Sequence, residues 1–369
     1  MMPHIKKFVK TKLIFLLLVV FFQYCNSPSN PFGIKINKVM EFNAGGYVRD
    51  IALTDSTLSV AADQNGYIIY RIIKNGNGEI LGLDTIAFNN DTSPGMDDTS
   101  YEVEFSNNGD LVFIMDPLDI VNIVSIDTNV TFLDPTSMPM YASWNLYRSI
   151  AIGSSNSNQI VLHSLLKHVS AEESSDYNPY STSIVTQVCN DAVPDIEDEI
   201  ILICNQSTVI NDLSYYCKNI AYSEPFLTVT NDQLGVLIYR QNSDDGLELF
   251  SQYDTPSSVE AVYSNDNMIF SGLSNDKGCY IALLDDNGTQ ISNLSIAEGY
   301  SINDIDIYQN LVALTCKSDG VLLFEFDQNL NFKEIGHIQT DYAYTSKFYD
   351  VNTIFVGTRN GFQIINFGE

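Results

Sequence analysis

Short apolar runs separated by turn-forming residues recur along most of the chain. The clearest copy spans 302–326, where INDIDI alternates apolar and polar residues, LVALT is almost wholly apolar, and GVLLFEF resumes after a KSDG turn. Alternation with a period of two, and short apolar runs between turn residues, are typical of consecutive β-strands. The pattern therefore predicts three strands in this unit.

The unit repeats at a nearly constant spacing. Its turn glycines Gly235, Gly278, Gly320 and Gly361 are 43, 42 and 41 residues apart, and a further copy begins at Gly66. A period of about 40–45 residues with four strands per unit is typical of a β-propeller, whose blades bury their faces against one another. No amphipathic helix pattern interrupts the strands, so the sequence predicts an all-β fold, a seven-bladed propeller of four-stranded blades. Its inner strands are predicted to begin near Tyr47, Tyr101, Tyr147, Cys217, Val259, Ile302 and Thr345.

The third unit departs from this spacing. After QIVLHSLL the segments 167–180 and 190–199 are rich in Ser, Asp and Glu. Polar segments of this kind are typical of surface loops. We therefore predict a loop insertion at about 167–199 rather than a separate domain.

The segment 34–42 (IKINKVMEF) predicts how the ring closes. The last unit reaches residue 369 after its third strand, and 34–42 precedes the first unit by the spacing at which NFKEIGHI (331–338) precedes the last. We predict that 34–42 supplies the fourth strand of the last blade, which makes 34–369 one closed propeller. A tether followed by an unrelated edge strand is the alternative.

Three segments carry a family resemblance. LVALTCKSDGVLLFEFD, TIFVGTRNGFQIINF and LSVAADQNGYIIYRI share an apolar second strand, a polar loop closing on Gly, and an apolar third strand. In this they resemble the LVIVD-repeat β-propellers, which are mostly exported bacterial proteins. The resemblance covers about residues 34–369, and its motif is structural. It therefore implies no catalytic residue.

The N-terminal residues are predicted to direct export. Four lysines at 6–12 precede the apolar run 13–22, which is about half the roughly 20 residues that a membrane-spanning helix needs. A signal peptide over 1–24 is the simplest interpretation. Cys25 and the polar segment after it resemble a bacterial lipoprotein signal, with a lipidated Cys25 and a tether at 25–33. Gln23-Tyr24 departs from the usual small residue before the Cys, so an ordinary cleaved signal and an uncleaved anchor stay open.

The charge of the chain narrows the class of partner. It carries 46 acidic and 18 basic residues, and removal of 1–24 with its four lysines changes the net charge from −28 to −32. Nucleic acid and anionic membrane surfaces select clustered Lys and Arg. We therefore expect a protein or glycan partner at the bacterial cell envelope, at the outer membrane or cell surface. Membrane attachment is expected through the lipid anchor only, and the protein is expected to be a monomer.

The remaining cysteines leave the disulfide pattern open. Cys189 with either Cys204 or Cys217 forms a reasonable local pair, while Cys279 and Cys316 have no obvious partner. Export permits disulfides, but spacing alone does not select the connectivity.

The loops that lead into the inner strands, together with those joining second to third strands, gather on one face of a propeller around its channel. We call this the entry face. A ring of polar residues is predicted there, and the alternative is a solvated channel without a ligand. The candidate ligand residues are Arg49, Asp50, Glu102, Arg148, Lys218, Glu260, Asn303 and Asp304.

Two functions are compatible with this face. No phosphate-binding loop, nucleophile elbow or zinc-protease motif is present, so a non-enzymatic binding or scaffold module without a cofactor is favoured. The alternative is a lactonase or esterase type of propeller hydrolase, in which a channel cation polarises an ester. Calcium is the candidate ion. Its ligands would be Glu260, Asn303 and Asp304, with Asn219.

Overall fold

A computed structural model gives the fold. It describes residues 34–88, 99–116, 121–126, 131–133, 145–154, 159–168, 181–189, 193–194, 200–201, 204–213, 217–243, 246–265 and 267–368. The predicted signal peptide, Cys25 and the tether lie outside these residues, so export and lipidation stay predictions. Within the described residues no helix is long and apolar enough to cross a membrane.

The described strands form seven four-stranded antiparallel blades, as the repeats predict. The chain begins with β1 (Lys35–Phe42). Blade 1 follows with β2 (Asp50–Leu53), β3 (Thr57–Ala61), β4 (Tyr67–Lys74) and β5 (Ile80–Phe88). Blade 2 contains β6 (Glu102–Phe105), β7 (Leu111–Met115), β8 (Val121–Ser125) and β9 (Thr131–Leu133).

Blade 3 holds a small additional sheet between its last two strands. Its strands are β10 (Asn145–Ser154), β11 (Ile160–His168), β12 (Thr182–Cys189) and β15 (Cys204–Leu213), with the pair β13 (Val193–Pro194) and β14 (Ile200–Ile201) between them.

Blades 4 to 7 follow the regular spacing. Blade 4 contains β16 (Ile220–Ser223), β17 (Phe226–Thr230), β18 (Val236–Gln241) and β19 (Leu247–Tyr253), with a short 3-10 helix at Asp232–Leu234. Blade 5 contains β20 (Val259–Asn265), β21 (Met268–Leu273), β22 (Cys279–Leu284) and β23 (Gln290–Ile296). Blade 6 contains β24 (Asp304–Tyr308), β25 (Leu311–Thr315), β26 (Val321–Phe326) and β27 (Phe332–Ile338). Blade 7 contains β28 (Ala343–Asp350), β29 (Thr353–Thr358) and β30 (Gly361–Gly368), and β1 completes it.

The prediction of one insertion at 167–199 is wrong in one respect. The stretch contains β12, which pairs with β11 on one side and β15 on the other, and most of its residues are buried. β12 was missed because TSIVTQVC mixes polar and apolar residues. It also lacks the turn glycine found at the start of five other third strands, β4, β18, β22, β26 and β30. The disulfide Cys189–Cys204 joins directly opposed residues of β12 and β15.

The hydrophobic core lies between neighbouring blades. Every residue of the second strands β3, β7, β25 and β29 is buried. One cluster joins Leu323 of blade 6 to Ile354 of blade 7, and another joins Phe270 of blade 5 to Leu314 of blade 6. Each blade therefore depends on its neighbour to cover its apolar face.

The repeated glycine has a structural reason. Gly320 has φ +80°, and a Cβ there would lie 2.0 Å from the carbonyl oxygen of Ile338. A side chain at this turn would meet backbone as well as strain the left-handed conformation. The glycine that anchors the repeat in the sequence is therefore required where the chain enters the third strand.

The predicted closure of the ring is confirmed. β1 runs antiparallel to β30 from Lys35 opposite Gly368 to Phe42 opposite Phe362. The Phe42 and Phe362 rings stack with their centroids 5.0 Å apart. Residues from the two ends of the described chain thus share one sheet, and β1 covers the outer edge of β30.

Candidate binding face and central channel

A belt of polar side chains links the first strands of neighbouring blades around the channel. Seven equivalent positions each lie directly before a buried residue near the start of an inner strand. They are occupied by Asp50, Glu102, Ser149, Asn219, Ala261, Asp304 and Thr345. Five of these side chains accept a hydrogen bond from a backbone N–H of the next blade. The pairs are Asp50 with Val103 (3.0 Å), Glu102 with Ile150 (2.7 Å), Ser149 with Ile220 (3.2 Å), Asn219 with Val262 (3.0 Å), and Asp304 with Ser346 (3.0 Å).

The belt also crosses the junction between the last and first blades. The Thr345 hydroxyl lies 2.9 Å from Asp304 Oδ2 and 3.3 Å from Asp50 Oδ1. Ala261 is the one position of the belt without a side-chain oxygen. Asp50, Glu102 and Asp304, which were predicted as ligand residues, therefore satisfy backbone groups of adjacent blades.

A second layer of charge lies two residues further along the inner strands. Lys347 Nζ is 3.9 Å from Asp304 Oδ1, and the two side chains are 24% and 21% exposed. Asp306 Oδ2 accepts a 2.7 Å hydrogen bond from the Phe348 N–H. Together with Asp50 and Glu104, these residues place four carboxylates around one ammonium group inside the channel.

This crowding changes the pKa values of the charged groups. Burial, opposed by Lys347 and reinforced by Asp304, raises the pKa of Asp50 to about 6. Burial raises the pKa of Glu104 to about 8, although Lys347 acts against it, and burial likewise raises the pKa of Asp306. Burial alone would lower the pKa of Lys347, but the surrounding carboxylates raise it well above its usual value.

A cavity of about 1070 Å³ occupies the channel. Its lining includes Asp50, Glu104 and Lys347 and extends to the turns between first and second strands at 54–57 and 107–110. These turns lie on the face opposite the entry face. Of the predicted ligand residues, Asp50, Glu102 and Asp304 line this cavity.

The other predicted ligand residues lie nearer the entry face. Lys218 Nζ pairs with Glu260 Oε1 at 2.6 Å, and Arg148 is exposed. Asn303 donates to the Tyr344 carbonyl at 2.6 Å and accepts from the Lys317 N–H at 3.1 Å.

Three of the residues suggested for a channel cation each have a partner within the propeller. Glu260 binds Lys218, Asn303 binds two backbone groups, and Asp304 binds blade 7. Across the described part of the chain, no group of three or more His, Cys, Asp or Glu side chains is arranged to hold a metal ion. The geometry assigns these side chains to holding blades together.

The entry face carries a cluster of tyrosines that the ligand-ring prediction did not include. Arg49 binds Asp63 Oδ2 through Nη2 at 2.6 Å and Nε at 2.8 Å. Its guanidinium carbon lies 4.6 Å from the ring centroid of Tyr344, 5.4 Å from that of Tyr101 and 5.5 Å from that of Tyr47.

The cluster continues across blade 7. The rings of Tyr344 and Tyr342 are 4.6 Å apart, and Arg359 lies 4.5 Å from the Tyr342 ring. The available sequence signal was a tyrosine just before or at the start of the inner strand in blades 1, 2 and 7. We call this set the Tyr–Arg surface; it comprises Tyr47, Arg49, Tyr101, Tyr342, Tyr344 and Arg359.

Comparison with solved structures shows the same fold in proteins with very different sequences. The chain is similar to U3-55K (TM-score 0.59, 13% identity, covering 90% of this chain and 98% of that chain) and to the C-terminal WD40 domain of Sif2 (0.58, 12%, 90% and 98%). It is also similar to a chain of the mitotic checkpoint complex (0.58, 11%, 92% and 94%). At these identities the likeness shows the β-propeller fold alone. No protein-family model and no curated protein matches the sequence.

Proposed function

We propose that the protein is a non-enzymatic binding or scaffold module of the LVIVD-repeat type, exported and held at a bacterial cell envelope by a lipidated Cys25. The observation that carries this proposal is that the polar side chains of the channel bind other parts of the propeller, whereas those of the entry face are exposed. The belt carboxylates Asp50, Glu102 and Asp304 bind backbone N–H groups of neighbouring blades. Exposed tyrosine and arginine side chains lie instead on the entry face.

Export is supported by two independent features. The lysines and apolar run before Cys25 have the order of a signal peptide. The disulfide Cys189–Cys204 joins two strands of blade 3, and structural disulfides are typical of oxidising compartments such as the periplasm and cell surface. A lipid on Cys25 would leave the propeller tethered by the segment up to β1.

A macromolecular partner is supported by the fold and by the residues on its face. One of the similar structures is a chain of a multiprotein complex, the mitotic checkpoint complex. Tyrosine and arginine are enriched in the central residues of protein interfaces. We therefore propose a protein partner at the outer membrane or cell surface, bound by a monomeric propeller.

The anchor is tested by expression in a bacterial host with labelled palmitate. The wild-type chain is expected to take up label and to fractionate with membranes, while Cys25→Ser is expected to lose both properties. Cys217→Ser, a substitution of a buried cysteine in blade 4, serves as the matched control and should keep the label. Label that persists in Cys25→Ser would refute the lipid anchor.

The binding role is tested with the released Cys25→Ser chain on intact envelopes of the host. Saturable binding that protease treatment of the envelopes abolishes is expected, because the proposed partner is a protein. Calcium titration and lactone hydrolysis are measured beside it for the wild type, Glu260→Ala and Asp304→Ala. Stoichiometric calcium and hydrolysis that both substitutions remove would replace the binding proposal with the hydrolase alternative.

A further inference from the structure

We propose that the Tyr–Arg surface docks a protein segment in which a carboxylate stands beside an aromatic or aliphatic side chain. This inference rests on the proposed binding function and adds the location and the chemistry of the partner. The surface spans blades 7, 1 and 2. Tyr342 directly precedes β28 and Tyr344 lies at its start, while Tyr47 leads into β2 and Tyr101 leads into β6.

The surface is exposed yet fixed in shape. Tyr47 is 46% and Tyr101 is 41% exposed. Both rings lie against the Arg49 guanidinium, which Asp63 holds from the side. Tyr344 stacks on Tyr47 with the centroids 5.8 Å apart. Side chains that are already ordered lose little conformational entropy when a partner binds, which favours affinity.

The apolar half of the partner segment follows from the rings. Tyrosine offers a broad, rigid ring at a low entropic cost and a hydroxyl that remains in water. Tyr342 and Tyr344 are partly buried and form a continuous aromatic strip with the exposed ring of Tyr47. The exposed ring of Tyr101 adjoins this strip across the Arg49 guanidinium. An aromatic or aliphatic side chain of the partner would be covered on this strip.

The carboxylate follows from Arg359. Its side chain is exposed, it stacks on Tyr342, and no carboxylate of the described residues forms an ion pair with it. Arg49 differs, because Asp63 already neutralises it. A guanidinium oriented by an aromatic ring presents paired N–H donors to a carboxylate. Arg359 therefore marks the place of the anionic group.

The charge of the whole chain limits how acidic the partner is. With a net charge of −28, the propeller repels strongly acidic proteins at long range and attracts neutral or basic ones. Lys317 also lies beside this surface, since its backbone bridges to Ala343 of blade 7. The fitting partner is a neutral or basic protein that presents one carboxylate locally.

The test uses a random dodecapeptide phage library panned against the purified full chain, with Arg359→Gln as the counter-selection. Enriched peptides are synthesised with their Asp or Glu, and again with that residue changed to Asn or Gln. Affinities are measured by fluorescence anisotropy for the wild type, Arg359→Gln and Tyr101→Ser. Arg240→Gln is the matched control, because Arg240 is an exposed arginine stacked 3.7 Å from the Phe250 ring centroid in blade 4.

We expect Arg359→Gln and Tyr101→Ser each to weaken binding about 10- to 100-fold, and Arg240→Gln to leave it unchanged. Changing the acid of the peptide to its amide should weaken binding to the wild type by a similar factor and leave binding to Arg359→Gln unchanged. That non-additive result is what a double-mutant cycle gives for two groups in direct contact. Thermal melting of each variant confirms that it is folded.

Three results would overturn the inference. These are enriched peptides that lack a carboxylate, affinities that Arg359→Gln and Tyr101→Ser leave unchanged, and absence of peptide binding while alginate or hyaluronan binds. Protease-sensitive envelope binding that persists in Arg359→Gln and Tyr101→Ser would place the interface elsewhere on the propeller. The proposed binding function would then stand while this location failed.

Discussion

Lys347 is the ammonium group that four carboxylates of the belt and the second channel layer surround in the described part of the chain, so we predict that Lys347→Met destabilises the propeller. Its nearest carboxylate oxygen, Asp304 Oδ1, is 3.9 Å away. At that distance, with an effective dielectric constant of about 20, one pair of unit charges interacts by about 4 kcal/mol. Methionine keeps most of the volume, so the change removes charge with little effect on packing.

The net loss is smaller than the sum of the four attractions. Lys347 and Asp304 are 24% and 21% exposed, so channel water screens them, and methionine avoids the cost of burying an ammonium group. Removing one partner of a buried ion pair costs about 3–5 kcal/mol. With screening we expect Lys347→Met to lower the free energy of unfolding by about 2–4 kcal/mol at pH 8.

The loss should shrink in acid. Burial raises the pKa of Asp50 to about 6 and that of Glu104 to about 8, and loss of Lys347 would raise both further. Between about pH 4 and these values the native state binds more protons than the unfolded chain, so stability falls as the pH rises. At pH 5 these groups are largely neutral in the variant, and most of the repulsion disappears.

Urea unfolding of the wild type and Lys347→Met at pH 5 and pH 8 measures both effects. The control is Lys218→Met, which removes a shorter ion pair (2.6 Å) from a lysine that is 42% exposed. Because that pair is exposed to water, its loss should cost less than about 1 kcal/mol. A loss no larger than that of Lys218→Met, or an equal loss at both pH values, would refute the electrostatic account of the channel.

Three further predictions concern the same ring. Deletion of 34–42 exposes the β30 edge and the apolar surface beneath β1, so the melting temperature should fall strongly or the protein should aggregate in size-exclusion chromatography; an unchanged melting temperature would contradict the closure. Glu104→Gln should increase the free energy of urea unfolding at pH 9 by about 1–3 kcal/mol and leave it nearly unchanged at pH 5. Burial raises the pKa of Glu104 to about 8, so its carboxyl group is charged at pH 9 and already neutral at pH 5. Changing Cys189 and Cys204 to Ala removes a disulfide that spans 15 residues and should lower the free energy of unfolding by about 3 kcal/mol. Dithiothreitol should cause the same loss in the wild type and no further loss in the variant.

The sequence predicted the fold through features that repeat. Turn glycines such as Gly320 recur because backbone occupies the space of a side chain there, and the strand at 34–42 was placed by spacing alone. β12 was missed because its burial comes from packing against blades 2 and 4 rather than from a local pattern. Register between distant strands is a property of the assembled sheet, so no single segment carries it.

The candidate site was predicted less well. Asp50, Glu102 and Asp304 line the channel cavity, but their position along the inner strands did not reveal that each accepts a hydrogen bond from the next blade. The Tyr–Arg surface depends on tyrosines from three blades meeting over Arg49. Tyr47 and Tyr344 stack there although they are nearly 300 positions apart in the chain. A single sequence does not show which distant residues are close in space.

The pairing of β1 with β30 also determines when the propeller is able to fold during its synthesis. Glu41 and Gln363 contact each other across 322 positions of the chain. β1 is therefore unable to join its sheet until β30 has been synthesised. Contacts of such long sequence separation form slowly, because the intervening chain must first be ordered. Until then β1 has no partner strand, and its exposed edges are open to pairing with another chain. Biogenesis therefore favours keeping the nascent polypeptide apart from its copies until the whole ring has been made.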